Sequence, residues 1–280
     1  MEGPRPGGTG PSALPVRRRA DEAGGMETAT FETLVGEAVR APSLNNSQPW
    51  RFRRLGDTVE VLLDLDRVPP DADPAGRLSR VACGAAAFNL SLGMAVRGRS
   101  VTIRPTTEDL VVARLVAAPH RPATPVQRRL YRVLPARHSN RSEFDDTPVP
   151  AAIRDELVRA ARDEGCRLDL LADPSTVDTV AAIALLPRAT DPVLGVLSGP
   201  GDRRDDAVRA GVALQRVLLT ATAERLAVSV FSGPVVEPGI RERLRTAVGH
   251  GHPPQLVLRF GYAPALAPTA RRNISSFVYE

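Results

Sequence analysis

The feature that most restricts the fold of this chain is a helix-length stretch almost without charge. Leu78 to Val96 carries one charged side chain, Arg80. A helix that is apolar nearly all round has no face to give to water, so it must lie buried between other layers. Gly84, Ala85, Ala86 and Ala87 give it a smooth surface for close packing. A second helix resembles it. From Ala210 the chain reads A-G-V-A-L-Q-R-V-L-L-T-A-T-A, against C-G-A-A-A-F-N-L-S-L-G-M-A-V from Cys83, with Gly84 over Gly211 (211 − 84 = 127). Leu34 to Ala41 has a counterpart in Ile153 to Ala160, with Glu37 over Glu156 (156 − 37 = 119). The order helix, strand, buried helix, strand recurs with these matches, so the chain reads as two fused half-repeats around buried central helices.

The remaining pattern fits that frame. Residues 1–25 carry Gly, Pro and Arg without periodicity and read as a disordered tail, with Met26 as an alternative start. They lack the apolar core of a signal peptide. The first half is expected over 26–135 and the second over 136–280. Thr30 is the expected N-cap of a first helix whose apolar face is Phe31, Leu34, Val35, Ala38 and Val39. Strands are predicted at Trp50–Leu55 and Val59–Leu65 around a Gly56-Asp57 turn, then at Val101–Arg104 and Leu110–Ala117. A helix follows at Val126–Leu134, and a late strand at Gln255–Tyr262.

Between the first helix and the first strand lies A-P-S-L-N-N-S-Q-P-W-R-F, Ala41 to Phe52. Pro42 closes the helix, because its ring cannot continue the ladder and it drives Ala41 out of the α region. Five amides and hydroxyls follow (Ser43, Asn45, Asn46, Ser47, Gln48), then Pro49 and the chain's one tryptophan, Trp50. A turn needs one or two such residues. The stretch reads either as a helix-to-strand loop with Trp50 as core filler, or as a rigid polar ledge for the edge of a flat heteroaromatic ligand. The second half has no copy of it: after its helix the chain reads A-R-D-E-G-C-R-L. That asymmetry predicts one ligand site per chain, built across the two halves.

Charge and cysteine usage exclude several classes. The net charge is +5, with 37 basic and 32 acidic residues. Every basic residue is arginine, interspersed with acids rather than gathered in a block, and one Trp and three Tyr leave bases little to stack on. No nucleic-acid partner is expected. No apolar run reads as long enough to span a membrane. Cys83 and Cys166 have no ligand-like neighbours, which suits a reduced, cytoplasmic protein. His250-Gly251-His252 lacks a third metal ligand and reads as a loop, so no metal is expected. Gly195 to Gly201 lacks the spacing of a dinucleotide loop, and no nucleophile–histidine–acid set can be picked out.

P-S-x-x-N-x-Q-P-W closely resembles a signature of the FMN-dependent nitroreductase family, and Arg137-x-Ser139-x-Arg141 resembles that family's R-x-S-x-[RK] run. The resemblance implies an α+β nitroreductase-like fold with antiparallel sheets and FMN as cofactor. Its implied flavin contacts are Pro42, Ser43, Leu44, Asn46 and Gln48 from the ledge, and Phe231, Ser232 and Gly233 near N5 and O4 of the ring. Arg137 and Ser139 would meet the phosphate end, Arg141 the N1 side of the ring, and Arg271 with Arg272 would form a second phosphate clamp. Guanidinium forks suit phosphate oxygens.

In ordinary nitroreductases the basic run precedes the ledge, and the two come from different subunits. Here the ledge comes first, as in the internally duplicated Acg-type branch, which resembles a dimer on one polypeptide. The chain departs from that branch at Asn45-Asn46-Ser47-Gln48, where H-N-T-Q is common, and in a shorter Leu186–Pro192 region, where long members carry a lid.

The activity implied is hydride transfer from NAD(P)H through FMN to a small-molecule acceptor, with no catalytic side chain beyond the flavin. The alternatives are a flavin-sequestering protein and a flavin dehydrogenase of a biosynthetic pathway. Either a monomeric pseudo-dimer or a homodimer is consistent with this.

Overall fold

The computed structural model describes residues 26–185, 193–264, 266–267 and 269–279. The tail at 1–25 and the shortened segment Leu186–Pro192 lie outside the described residues. Helix α1 (Thr28–Ala38) buries Phe31, Leu34, Val35 and Ala38. Its first turn closes from Phe31 N to Glu27 O at 3.0 Å, so Glu27 is the N-cap, not Thr30. Thr30 already has helical backbone, and a cap residue must not. The helix also ends at Ala38, three residues before Ala41 and ahead of Pro42.

Strands β1 (Trp50–Leu55) and β2 (Thr58–Leu63) form a hairpin in register from Trp50↔Leu63 to Leu55↔Thr58. Gly56 takes φ +59° at its two-residue turn, as this loop length demands. Helix α2 (Arg77–Val96) follows, then β3 (Val101–Pro105), β4 (Val111–Ala117) and α3 (Pro125–Val133). Thr124 caps α3 in a reciprocal box with Gln127.

The second half runs α4 (Ala151–Arg162), β5 (Arg167–Leu170), α5 (Pro174–Ile183), β6 (Val193–Ser198) and α6 (Arg204–Ala223). It ends in β7 (Ala227–Phe231), α7 (Gly233–Val236), α8 (Pro238–Val248) and β8 (Pro254–Gly261). Helix α6 starts six residues before the expected Ala210, because Asp206 accepts from Arg203 N at 3.0 Å and closes the first turn there.

The class is α+β, as expected. There are two four-stranded antiparallel sheets, ordered β1-β2-β4-β3 and β5-β6-β8-β7. Numbered within its own half, each sheet has the same order.

By length and hydropathy alone α2 could cross a membrane (20 residues, mean hydropathy 1.2), which corrects the expectation that no run is long enough. Here its apolarity serves burial on all sides. Past its first residue, Arg77, its one charge is Arg80, which bonds the carbonyl of Asp109 at 3.1 Å and is 6% exposed.

Helices α2 and α6 cross in backbone contact. A Cβ on Gly84 would sit 2.1 Å from the Val208 carbonyl oxygen, and one on Gly211 would sit 1.9 Å from that of Val81. The four positions keep one offset (208 − 81 = 211 − 84 = 127), so the contact is reciprocal. Each helix also places a valine in the other half's core. Val81 packs with Leu197, Leu214 and Leu258, and Val208 with Leu34, Phe52 and Leu90.

The C-terminal segment returns to the first sheet. Phe52 N donates to Phe277 O (2.7 Å), Tyr279 N donates to Phe52 O (2.8 Å), and Phe277 lies fully buried 6.5 Å from the Trp50 ring.

Gly84→Ala or Gly211→Ala should therefore cost about 3 kcal/mol, because backbone, not a flexible side chain, blocks the methyl group. Gly233→Ala, whose Cβ would meet nothing within 4 Å, should stay within about 0.5 kcal/mol of wild type. Urea midpoints measure both. A crossing-glycine variant as stable as Gly233→Ala would show that the helices are not in backbone contact.

Candidate functional site

The last carbonyls of α1 carry its negative dipole end, and neither they nor those of Val39–Ala41 just beyond have α-helical partners. Side chains from three other segments engage them. Asn89 of α2 donates to Glu37 O (3.2 Å) and Ala38 O (3.4 Å). Arg137 donates to Arg40 O at 2.9 Å. Arg271 donates through Nε to Val39 O (2.6 Å) and through Nη2 to Ala41 O (3.2 Å).

The ledge follows directly. Ser43 Oγ accepts from Gln48 N at 3.0 Å and closes a loop around a short turn at Leu44–Asn46. Asn45, Asn46 and Gln48 take φ +48°, +56° and +53°. Asparagine tolerates that region, but glutamine adopts it only where its surroundings hold it there. They do: Gln48 is 2% exposed, its Nε2 donates to Asn46 O (3.2 Å), and its Oε1 accepts from Arg272 N (3.1 Å). Asn46 Nδ2 donates to Ala270 O (3.0 Å), and Arg272 Nη1 to Ser47 O (2.6 Å). The ledge and residues 270–272 are thus laced together.

The ledge and the basic run meet at one hollow, and the basic run also lines a second. The first, about 70 Å³, has Pro42, Ser43, Leu44 and Asn45 on one side and Ser139, Arg141, Val230 and Ser232 on the other. Its floor is Leu78, Val81 and Ala82 of α2, with Leu214 and Leu256. The second, about 400 Å³, is lined by Arg40, Arg137, His138, Arg271 and Arg272 with Val39, Pro135 and Ile274, and among the described residues by no carboxylate.

Arg137 dominates the basic hollow. It is 6% exposed, and two of its nitrogens, Nε and Nη1, have no partner among the described residues. Burial, and then the neighbouring Arg271, pull its pKa down to about 9, so it remains charged at neutral pH. Burial lowers Arg271 too, with Arg40 adding to the effect. Buried, unpaired donors on a cation fit the oxygens of an anion such as a phosphate.

Of the residues singled out from sequence, Pro42, Ser43, Leu44, Ser139, Arg141 and Ser232 meet at the apolar hollow, and Arg137, Arg271 and Arg272 at the basic one. Asn46, Gln48, Phe231 and Gly233 line neither. Asn46 and Gln48 face the C-terminal segment, Phe231 packs against the second core, and Gly233 is exposed.

Sequence reasoning missed Arg40, Asn89 and Asn140. Arg40 adjoins the ledge and could have been read with it, whereas Asn89 looks like any polar residue in an apolar helix. A larger hollow, about 690 Å³ between α2, β3 and α3, contains none of these residues; of its three ionic groups, Glu164 and Arg216 pair with each other and Arg121 is the third. His250 pairs with Asp169 of β5 at 2.7 Å and ties its loop to the sheet edge.

No family model matches the sequence. The chain is 28% identical, over an alignment of 316 residues covering 90% of it and 92% of the relative, to "Putative NAD(P)H nitroreductase Rv3131" of Mycobacterium tuberculosis H37Rv. It is 30% identical over 163 residues to "Putative NAD(P)H nitroreductase acg" of the same strain, covering 57% of this chain and 49% of that one. Solved structures that it matches include an NADH dehydrogenase/NAD(P)H nitroreductase of Bacteroides thetaiotaomicron, so named provisionally (19% identical, TM-score 0.46, 56% of this chain and 97% of that one). Another is a Bacteroides fragilis nitroreductase with bound FMN (15% identical, TM-score 0.42, 51% and 93%).

Arg137→Met should melt about 2–4 °C higher than wild type in a buffer without multivalent anions. It removes a desolvated charge whose single bond to Arg40 O offsets little of the burial penalty, a difference of about 1 kcal/mol. Because the folded-state pKa lies below the unfolded one, this gain is full below about pH 9 and shrinks above it. Inorganic phosphate should raise the melting temperature of wild type and not that of the variant. An equal phosphate response in both would remove Arg137 from the anion site.

Proposed function

We propose that this chain is an FMN-dependent oxidoreductase that takes electrons from NAD(P)H and passes them to a small-molecule acceptor. We further propose that 26–135 and 136–280 are half-repeats sharing one flavin site. The observation that carries this reading is the meeting of the ledge, from the first half, with the Arg137–Arg141 run, from the second, around paired apolar and basic hollows. Similarity to proteins named as NAD(P)H nitroreductases, over nine-tenths of the chain, supports the choice of electron donor.

Bound FMN would supply the hydride chemistry, and the protein would place it and set its potential. In this reading Arg137 binds the phosphate, with its free Nε and Nη1 as donors. Arg271 and Arg272 hold the ledge to the C-terminal segment and add positive potential to the same hollow. Arg141 and Ser232, which both line the apolar hollow, face the edge of the ring, and Arg141 favours negative charge developing there. The apolar hollow is well below the roughly 300 Å³ at which small-molecule pockets begin, so it takes part of a flat ring and leaves the rest at the open mouth. The acceptor can then approach the uncovered face.

A purified protein that is colourless and cannot be reconstituted with FMN would sink this reading. The two arginines should fail differently. Arg137→Ala removes a charge-assisted contact worth roughly 1.5–3 kcal/mol and should weaken FMN binding by about one to two powers of ten, leaving the midpoint potential of retained flavin nearly unchanged. Arg141→Ala should instead lower that potential. Wild-type affinity and potential in both variants would show the run to be an ordinary surface turn.

A further inference from the structure

Arg259 lies within β8, where no motif marks it. It is 4% exposed, and among the described residues no carboxylate pairs with it. Its Nη2 donates to Ser142 O (2.8 Å) and to Ser229 Oγ (3.3 Å), its guanidinium lies 4.1 Å from the Phe144 ring centroid, and its Nε has no partner.

These contacts lead to the candidate site in one step. Ser229 Oγ also donates to Asn140 O, Asn140 N donates to Val228 O (2.9 Å), and Ser142 N donates to Asn140 Oδ1 (2.9 Å). Asn140 is 1% exposed, and its Nδ2 donates to Pro264 O at 3.1 Å. It stands between Ser139 and Arg141, which both line the apolar hollow. An uncompensated buried cation therefore sits directly behind the segment that forms one wall of that hollow.

The hydrogen bonds alone do not require an arginine. A neutral amide could donate to Ser142 O and Ser229 Oγ without the desolvation cost of a charge. A charge kept out of water is weakly screened and acts well beyond its own contacts. We propose that Arg259 is a positioning residue of the flavin site. It holds the Ser139–Arg141 wall through Ser142 and Ser229, and its unpaired charge favours the anionic reduced form of a flavin bound in front of that wall. This rests on the FMN reading above.

The test compares wild type, R259Q, R259K and S229D, each reconstituted with FMN, by midpoint potential and melting temperature. R259Q keeps donors and removes the charge, whereas R259K keeps the charge and loses the fork and the ring contact. S229D sets a carboxylate where the Ser229 hydroxyl meets the guanidinium and neutralises it in place, so it decides the matter even if R259Q fails to fold. The expected result is a tenfold fall in the ratio of reduced to oxidised flavin affinity for R259Q and S229D. For this two-electron couple that is about 30 mV lower. R259K should melt lower than wild type yet hold its potential. Wild-type potential in R259Q or S229D, or a fall in R259K equal to that in R259Q, would overturn the proposal and leave Arg259 a packing residue. Failure of wild type itself to take FMN is seen before any variant is compared, and it overturns the FMN reading together with this one.

Discussion

The contact on which the rest of the structure depends is the crossing of α2 and α6. Two helices approach with no Cβ between them, Gly84 lying on the Val208 carbonyl and Gly211 on that of Val81. At this separation each helix becomes part of the other half's core, through Val81 in one direction and Val208 in the other. Each of the two main core clusters thus contains side chains from both central helices. The sheets take the outer sides, and the flank of the crossing becomes the floor of the apolar hollow, where Val81 and Leu78 of α2 lie beside Leu214 of α6. The site therefore inherits its position from a backbone contact rather than from its own polar groups.

A second constraint acts at the end of α1. Its last carbonyls are engaged by Asn89 from the central helix, and those of the residues just beyond by Arg137 from the basic run and Arg271 from the C-terminal segment. Arginine suits this task because its planar fork reaches several acceptors at once, as Arg271 does with Val39 and Ala41. Gathering cations around one helix end also builds the basic hollow, whose lining among the described residues holds no carboxylate. The same residues thus fix the ledge in place and concentrate positive charge beside it. Asn140 and Arg259 do the corresponding work on the other wall.

Much of this was legible in the sequence where the signal was local. The charge shortage of Leu78–Val96 reported a helix covered on all sides, and alternation with Gly56-Asp57 reported the first hairpin. The ledge and the basic run stood out because clustered amides and paired arginines are unusual over so few residues. Side-chain direction was less legible. Asn46 and Gln48 belong to the ledge but turn toward residues 270–272, because left-handed backbone at those positions needs partners that only the distant segment supplies. Thr30 looked like a cap by residue type, yet Glu27 O closes the first turn.

Residue type and spacing, then, determined most elements of the first half and marked the ledge, since each depends on neighbours a few residues away. The α+β class came from the family resemblance of the ledge and the basic run. Only the tertiary structure decided that Phe277 returns to pair with Phe52, that Arg137 is buried with two free donors, and that Arg259 stands unpaired behind the wall. The reason is physical. Burial, desolvation and a side chain's choice of partner depend on which distant segments arrive beside it, and an arginine in a strand carries no local mark of that. The crossing glycines join the two levels: their small size is written in the sequence, while the carbonyls that require it come from the other helix.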